Sequence, residues 1–460
     1  MHRVTLLSLA LTAGCGQVDY MYIDPGDWGA TPGGAQDIGA ARDVIASGGV
    51  PSADAFPVEG LLSEHDLPVA GPPCDDLLCV RPALAVAPWL ETGELTTWLQ
   101  LGMSSGLPAA WERPPLDLVL IIDRSSSMSS DMVETLTGAA SAVEQMGPQD
   151  RVAVVLFADR PRIAVPLQAV TDVAAIEREL FRVDANGGWE LMPAMEAGLE
   201  LLEDAGPDPD RIRRLALFTC SYPGVGPNQD DPFTQLVRRA ADERVGTSVY
   251  GVILGANPSL SDMLGEVRGG TTSFLESLDK VERVFVDDFD AMVTPLAYDL
   301  QVDVQLPAGA SIAARYGVPG DGDLAFEATT VFPSRRRGAM LARLDGDVSN
   351  GVSASIAYTP EAALGWTEDV DAEAPAEPPA ELDASGGFAG PGVRKGVALA
   401  QEAEQMSAAC GAWHAGAAED AIGRMDRLVT YLAGEAAALD DDGLRAELDL
   451  AVQLRENMTR

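Results

Sequence analysis

Basic residues are scarce in this chain. Its 460 residues hold 31 lysines and arginines against 71 aspartates and glutamates, a formal net charge of −40. Phosphate recognition needs a basic surface, so this balance argues against nucleic acid as a partner. It suits a soluble, self-repelling surface that attracts cations or basic partners. Histidine is scarcer still, with three residues, and none of the five cysteines forms a Cys-x-x-Cys pair. That excludes the usual zinc sets. Long apolar runs are missing beyond the first residues, so no other segment is expected to cross a membrane. No repeat of regular period occurs. What remains is globular in character, with 47% apolar and 22% charged residues, and the length suffices for two or three domains with their own cores.

The first residues, "MHRVTLLSLALTAGCG", carry Arg3, an apolar run from Val4 to Ala13, and small residues before Cys15. The run is too short for a permanent span but fits a signal-peptide core. "LTAGC" resembles a bacterial lipobox, which makes 1–15 a lipoprotein signal peptide and Cys15 the lipidated residue. The resemblance implies an extracytoplasmic, lipid-anchored protein of the cell envelope. Gly16 follows the cysteine, so the aspartate that often marks inner-membrane retention is absent and the outer membrane is expected. Residues 16–60 are rich in Gly, Ala, Asp and Pro and read as a tether with one helix around 37–47. Cys74 and Cys79 in "CDDLLC" are spaced to close a small disulfide loop, which export would permit. Cys220 and Cys410 then pair across the fold or stay thiols.

Residues 61–112 read as β-rich, with "ALAVAPWL" and "LTTWLQLGM" alternating. Across 113–298 apolar strands ("LDLVLII", "RVAVVLF", "RRLALFT", "SVYGVIL", "TTSFLE") alternate with amphipathic helices at 131–146, 172–182, 191–204, 232–244 and 279–296. Strands apolar throughout, with helices between them, imply a parallel sheet covered on both faces. Asp131 with Glu134 resembles a capping box for the first of these helices. Residues 299–360 hold short strands broken by Gly, Pro and Asp, an antiparallel pattern that could join the earlier strands in one sandwich. An acidic Ala/Pro stretch, 361–391, reads as a linker, and 392–460 as a helical unit. The expected fold is therefore α/β, a doubly wound, mostly parallel, Rossmann-like sheet. Antiparallel β-sandwich segments flank it, and a helical C-terminal region follows.

The chemistry-bearing stretch is "LIIDRSSSM". An apolar strand stops at Asp123, and Ser125 and Ser127 follow at alternate positions before a helix. Ligands of open α/β sheets bind outside the carboxyl ends of the strands. Two hydroxyls and a water held by a carboxylate suit a small hard cation such as Mg²⁺. Asp-x-Ser-x-Ser resembles the first loop of the metal-ion-dependent adhesion site in von Willebrand factor type A (VWA) domains. "NGGWELMPAMEAGLELL" and "RIRRLALFTCSYPGVG" are similar to the family's second and third loops, and the order and spacing extend the resemblance over roughly 180 residues. The resemblance implies a threonine after Gly187-Gly188, where Trp189 stands. It also implies an aspartate after Thr219, where Cys220 stands. An indole offers no oxygen, and a thiol is a poor ligand for a hard cation. Glu190 could lend a carboxylate only through a register shift. Trp189 reads either as a plug in an emptied site or as an exposed anchor on a binding face formed with Glu190. The acidic pairs in "DDFD" (287–290) and "DGDL" (321–324) read as solvated loops.

Three functions follow. The first is a membrane-anchored, non-enzymatic interaction module that meets an unidentified protein partner through its VWA domain, without nucleic acid and with metal absent or weakly held. The alternative is a strict Mg²⁺-dependent adhesion module, with Asp123, Ser125 and Ser127 as ligands and a partner carboxylate completing the shell. The third, a serine hydrolase, lacks support: His2 lies in the signal segment and His65 and His414 outside the VWA segment, with no motif linking them to the serines.

Overall fold

The computed structural model describes residues 28–220, 231–251, 258–318, 325–366, 372–379 and 386–460. Residues 1–27, with Cys15 and the segment read as a signal peptide, lie outside them. Two sheets organise the described residues. The first runs in the order Gly34–Ala35, Thr271–Phe274, Gly246–Gly251, Ile212–Thr219, Leu116–Asp123, Arg151–Phe157 and Pro161–Ala169. Every pairing in it is parallel except the last. Leu116–Asp123 is an inner strand, paired on both edges, and is buried along its whole length. Leu118, Leu120 and Ile122 face Leu136, Val143 and Phe285 on one side. Val119 and Ile121 face Leu191, Leu199, Phe233 and Leu260 on the other. Both faces are thus covered, which is why the strand reads as an unbroken apolar run. Each such side chain contributes about 1.5–3 kcal/mol on burial.

Several elements differ from the sequence reading. Pro161–Ala169 is an edge strand that was not anticipated, because Pro161 and Pro166 speak against a strand. At an edge, a missing N–H costs no ladder bond. The helix Met132–Glu144 begins as expected, but Asp131 makes no side-chain cap; its carboxylate accepts from the Ser130 hydroxyl instead. "DDFD" is not solvated throughout: Asp288 is buried and accepts from Arg336 Nη2 at 2.9 Å. "DGDL" lies outside the described residues.

The second sheet has ten antiparallel strands among the described residues. Leu95–Ser105 connects its parts. It pairs along its length with Cys79–Pro88, on its other edge with Ala339–Asp345, and at its end with Trp28–Pro32. Trp28–Pro32 leads through Ala325–Ser334 and Ala297–Gln305 to Val352–Pro360. Leu84, Leu99 and Met340 pack against Val302, Phe326 and Ile356, so the sheet folds over on itself as two layers. The outer face of one layer, with Ala85, Trp98 and Leu341, packs on the C-terminal helices Pro391–His414, Ala418–Leu439 and Asp442–Asn457.

The tether reading of 16–60 is corrected from residue 28 onward. Trp28–Pro32 is a buried strand of the second sheet, and Gly34–Ala35 is an outer strand of the first. Small residues serve close approach here, not looseness. A Cβ on Gly29 would fall 1.9 Å from the Arg336 carbonyl oxygen, and Gly34 holds a left-handed φ of 84°. The helix Gly39–Ala46 then buries Ala41 and Ile45 completely. The linker reading of 361–391 is corrected in part: Ala372–Ala376 pairs with Val352–Ile356, and Gly387–Phe388 pairs with Ala85–Val86. An edge strand tolerates Pro375 for the same reason as Pro161. In the last helix the buried stripe is Leu444, Glu447, Leu450 and Leu454, so a carboxylate stands among leucines. Cys74 and Cys79 form a disulfide. Cys220 and Cys410 form none and are buried in separate cores.

Candidate functional site

Asp123 ends the inner strand Leu116–Asp123 between Phe157, its registered neighbour, and the strand that ends at Thr219. Its carboxylate is fully buried and engaged on both oxygens. The Ser125 N–H donates to Oδ1 at 2.8 Å, and the Thr219 hydroxyl donates to Oδ2 at 2.7 Å. Ser125 is extended and opens the short turn Ser126–Ser130, which brings its hydroxyl to 2.9 Å from that of Ser127. The Cys220 thiol donates to Ser127 Oγ at 3.1 Å. The structure therefore brings together Asp123, Ser125, Ser127, Thr219 and Cys220 through hydrogen bonds.

The second loop is laced to the first through the backbone. Asn186 N–H donates to the Arg124 carbonyl at 2.7 Å, and both Ser126 N–H and its hydroxyl donate to the Gly187 carbonyl at 3.1 Å. Asp159 was missed by the sequence reading. It follows the strand that ends at Phe157 and accepts from Gly188 N–H at 2.9 Å. A Cβ on Gly187 or Gly188 would lie 2.9 or 2.7 Å from an Asp159 oxygen, and Gly187 has φ 93°. The glycine pair is thus fitted to this carboxylate. The only signal was an acidic residue shortly after a strand, which is common in so acidic a chain. Trp189, next along, keeps 37% of its surface exposed. Glu190 is exposed too, with its N–H on the Ala158 carbonyl at 2.8 Å. Among the described residues no group of three or more His, Cys, Asp or Glu side chains is placed to hold a metal ion.

Residues 117–288 match the model of the von Willebrand factor type A domain. The expected span of 113–298 contains that match. A solved structure, von Willebrand factor type A from Catenulispora acidiphila, superposes with a TM-score of 0.50 at 16% identity, over 82% of this chain and 89% of that one. The fold and the family model together establish that this protein contains a VWA domain. Two curated relatives are similar over part of the chain. Uncharacterized protein YfbK of Escherichia coli (strain K12) is 26% identical over 233 residues, 49% of this chain and 39% of the relative. Uncharacterized protein sll0103 of Synechocystis is 27% identical over 206 residues, 44% of this chain and 48% of the relative. The matches thus span less than half of either relative's length.

Proposed function

We propose that this protein is a non-enzymatic interaction module, anchored to the cell envelope through Cys15, that meets a protein partner with the loop end of its VWA domain. The observation that carries the reading is the state of Asp123. Each of its two oxygens accepts one protein bond, from Ser125 N–H and Thr219 Oγ1, while Ser127 is bonded to a thiol. The donor set does not fit Mg²⁺, which asks for oxygen ligands in octahedral array. The one carboxylate and the two serine hydroxyls are already bonded to protein groups that a cation would have to displace, and sulfur is too soft to help. The same hydrogen bonds give a metal-free site an internal stability that crowded carboxylates would lack. Beside it, Trp189 presents a large, partly exposed aromatic surface of the kind that anchors protein contacts. Asp159 and the glycine pair fix the loop that carries it.

The test is photo-crosslinking from the envelope with a probe at position 190, in the parent and in Trp189→Ala. The expected result is a discrete crosslinked partner in the parent, unchanged by EDTA and lost in Trp189→Ala at unaltered melting temperature. A crosslink that EDTA abolishes would favour the Mg²⁺-dependent alternative. A crosslink indifferent to Trp189 would remove the aromatic anchor from the account.

A further inference from the structure

Away from the VWA loops, the second sheet carries a cavity of about 210 Å³ between Trp28, the segment Leu67–Cys74 and the strand residues Arg81, Met103 and Ser104. Its floor comes from close backbone approaches. A Cβ on Gly102 would fall 2.5 Å from Val69 Cγ2, so the proline-rich segment lies directly over the sheet. A Cβ on Gly71 would fall 2.9 Å from Arg81 Nη1, which places the guanidinium against that bare backbone.

Arg81 is the unusual member. In a chain with 71 acidic residues, this half-buried cation has no ion-pair or hydrogen-bond partner among the described residues. Arg337, on the same rim, is held by Asp66 at 2.9 Å. Arg335 lies over the Trp28 ring, 4.2 Å from its centroid. The result is a positive, aromatic-backed pocket on an otherwise acidic protein.

We propose that this pocket binds the C-terminal residue of a peptide whose last side chain is apolar, with Arg81 receiving the terminal carboxylate. The size of the cavity falls below the roughly 300–1,000 Å³ typical of sites for drug-sized ligands and suits one residue-sized group. A guanidinium matches a carboxylate through two parallel N–H bonds. The accessible carbon of Pro68, Val69, Pro72 and Pro73, which line the same space, asks for carbon immediately beside the charge. A terminal residue supplies both on one Cα, whereas a hydrated phosphate supplies only the charge. The Ser104 hydroxyl, which has no hydrogen-bond partner among the described residues, lines the same space.

The experiment titrates the full chain by calorimetry with N-acetyl-Ala-Leu as free acid, with its C-terminal amide, and with inorganic phosphate. The acid should bind with a Kd on the order of 1 mM, weaken with salt, and outbind the amide at least tenfold. Arg81→Met should remove that preference. Gly71→Val, which crowds the guanidinium without deleting it, should do the same and stands in if Arg81→Met does not fold. Equal binding of acid and amide, or a preference that survives both substitutions, would overturn the proposal. So would binding of phosphate as tight as the acid, or no binding of the acid at all.

Discussion

Glu402 gives the sharpest thermodynamic prediction. Its side chain is fully buried on the helix Pro391–His414, and neither of its oxygens has a donor. Glu447 Oε2 lacks a donor as well, while Glu447 Oε1 accepts from Arg42 Nη2 at 2.8 Å and from His65 Nε2 at 3.1 Å. Burial favours the neutral form of both carboxyls. For Glu447, Arg42 and His65 outweigh that and hold it down at about 2. For Glu402, burial and then the Glu447 charge push it well above the usual carboxyl range, with Arg42 opposing and Glu64 adding to the rise. Glu402 therefore keeps its proton when folded and directs it at Glu447.

The sign follows from proton counting. Between the ordinary value of 4.5 and the raised folded value, the native state holds one proton more than the unfolded chain. Stability from this group is then full at pH below 4.5 and declines as pH rises, by about 1.4 kcal/mol per pH unit, until the folded value is passed. Glu447 has the opposite sign, and its contribution is lost as pH falls toward 2. Glu402→Gln keeps the shape, offers Glu447 an N–H donor and removes the titration. Urea unfolding of both proteins at pH 5, 6, 7 and 8 should show Glu402→Gln gaining on the parent by up to about 1.4 kcal/mol at each step. Parallel stability curves across those pH values would refute the shared-proton reading.

Two further outcomes are expected. Asp123→Ala should destabilise by about 2–4 kcal/mol, since it removes the buried acceptor of both the Thr219 hydroxyl and the Ser125 N–H, and Asp123→Asn should cost less because its amide oxygen still accepts one bond; chemical denaturation measures both, and equal losses would contradict the assignment. Cys15→Ser should move the protein from the membrane to the soluble fraction, and a variant that sediments as the parent does would contradict the anchor.

Much of the VWA domain was legible because strands such as Arg151–Phe157 are covered on both faces and leave no polar interruptions. The first loop was legible for the same reason: Asp123 is a carboxylate at the abrupt end of such a run. Elements built on close backbone approach were not. Gly29, Gly33 and Gly34 look like tether composition, yet each sits where a side chain would meet the Arg336 carbonyl, the Gly270 carbonyl or Gly265. Small residues permit both outcomes, and only the tertiary partner decides. Edge strands with proline, at Pro161 and Pro375, were hidden because a sequence does not reveal which strand lies outermost. Buried charges were hidden as well. Glu447 and Glu402 break their apolar stripes, and their partners Arg42 and His65 lie more than 330 residues away. Asp159 shares that difficulty, since its role depends on a glycine pair 28 residues further on.

The proposed function rests on Asp123, Ser125 and Ser127 acting as a hydrogen-bonded site that needs no metal. The direct measurement is the melting temperature in EDTA against millimolar Mg²⁺, for the parent and for Trp189→Thr with Cys220→Asp. Stabilisation by a ligand grows only as the logarithm of its concentration over Kd. No Mg²⁺-dependent shift is expected in the parent, and a clear one in the double variant, where a hydroxyl and a carboxylate replace the indole and the thiol. A large Mg²⁺-dependent shift in the parent, abolished by Asp123→Ala, would contradict it and make the serines metal ligands.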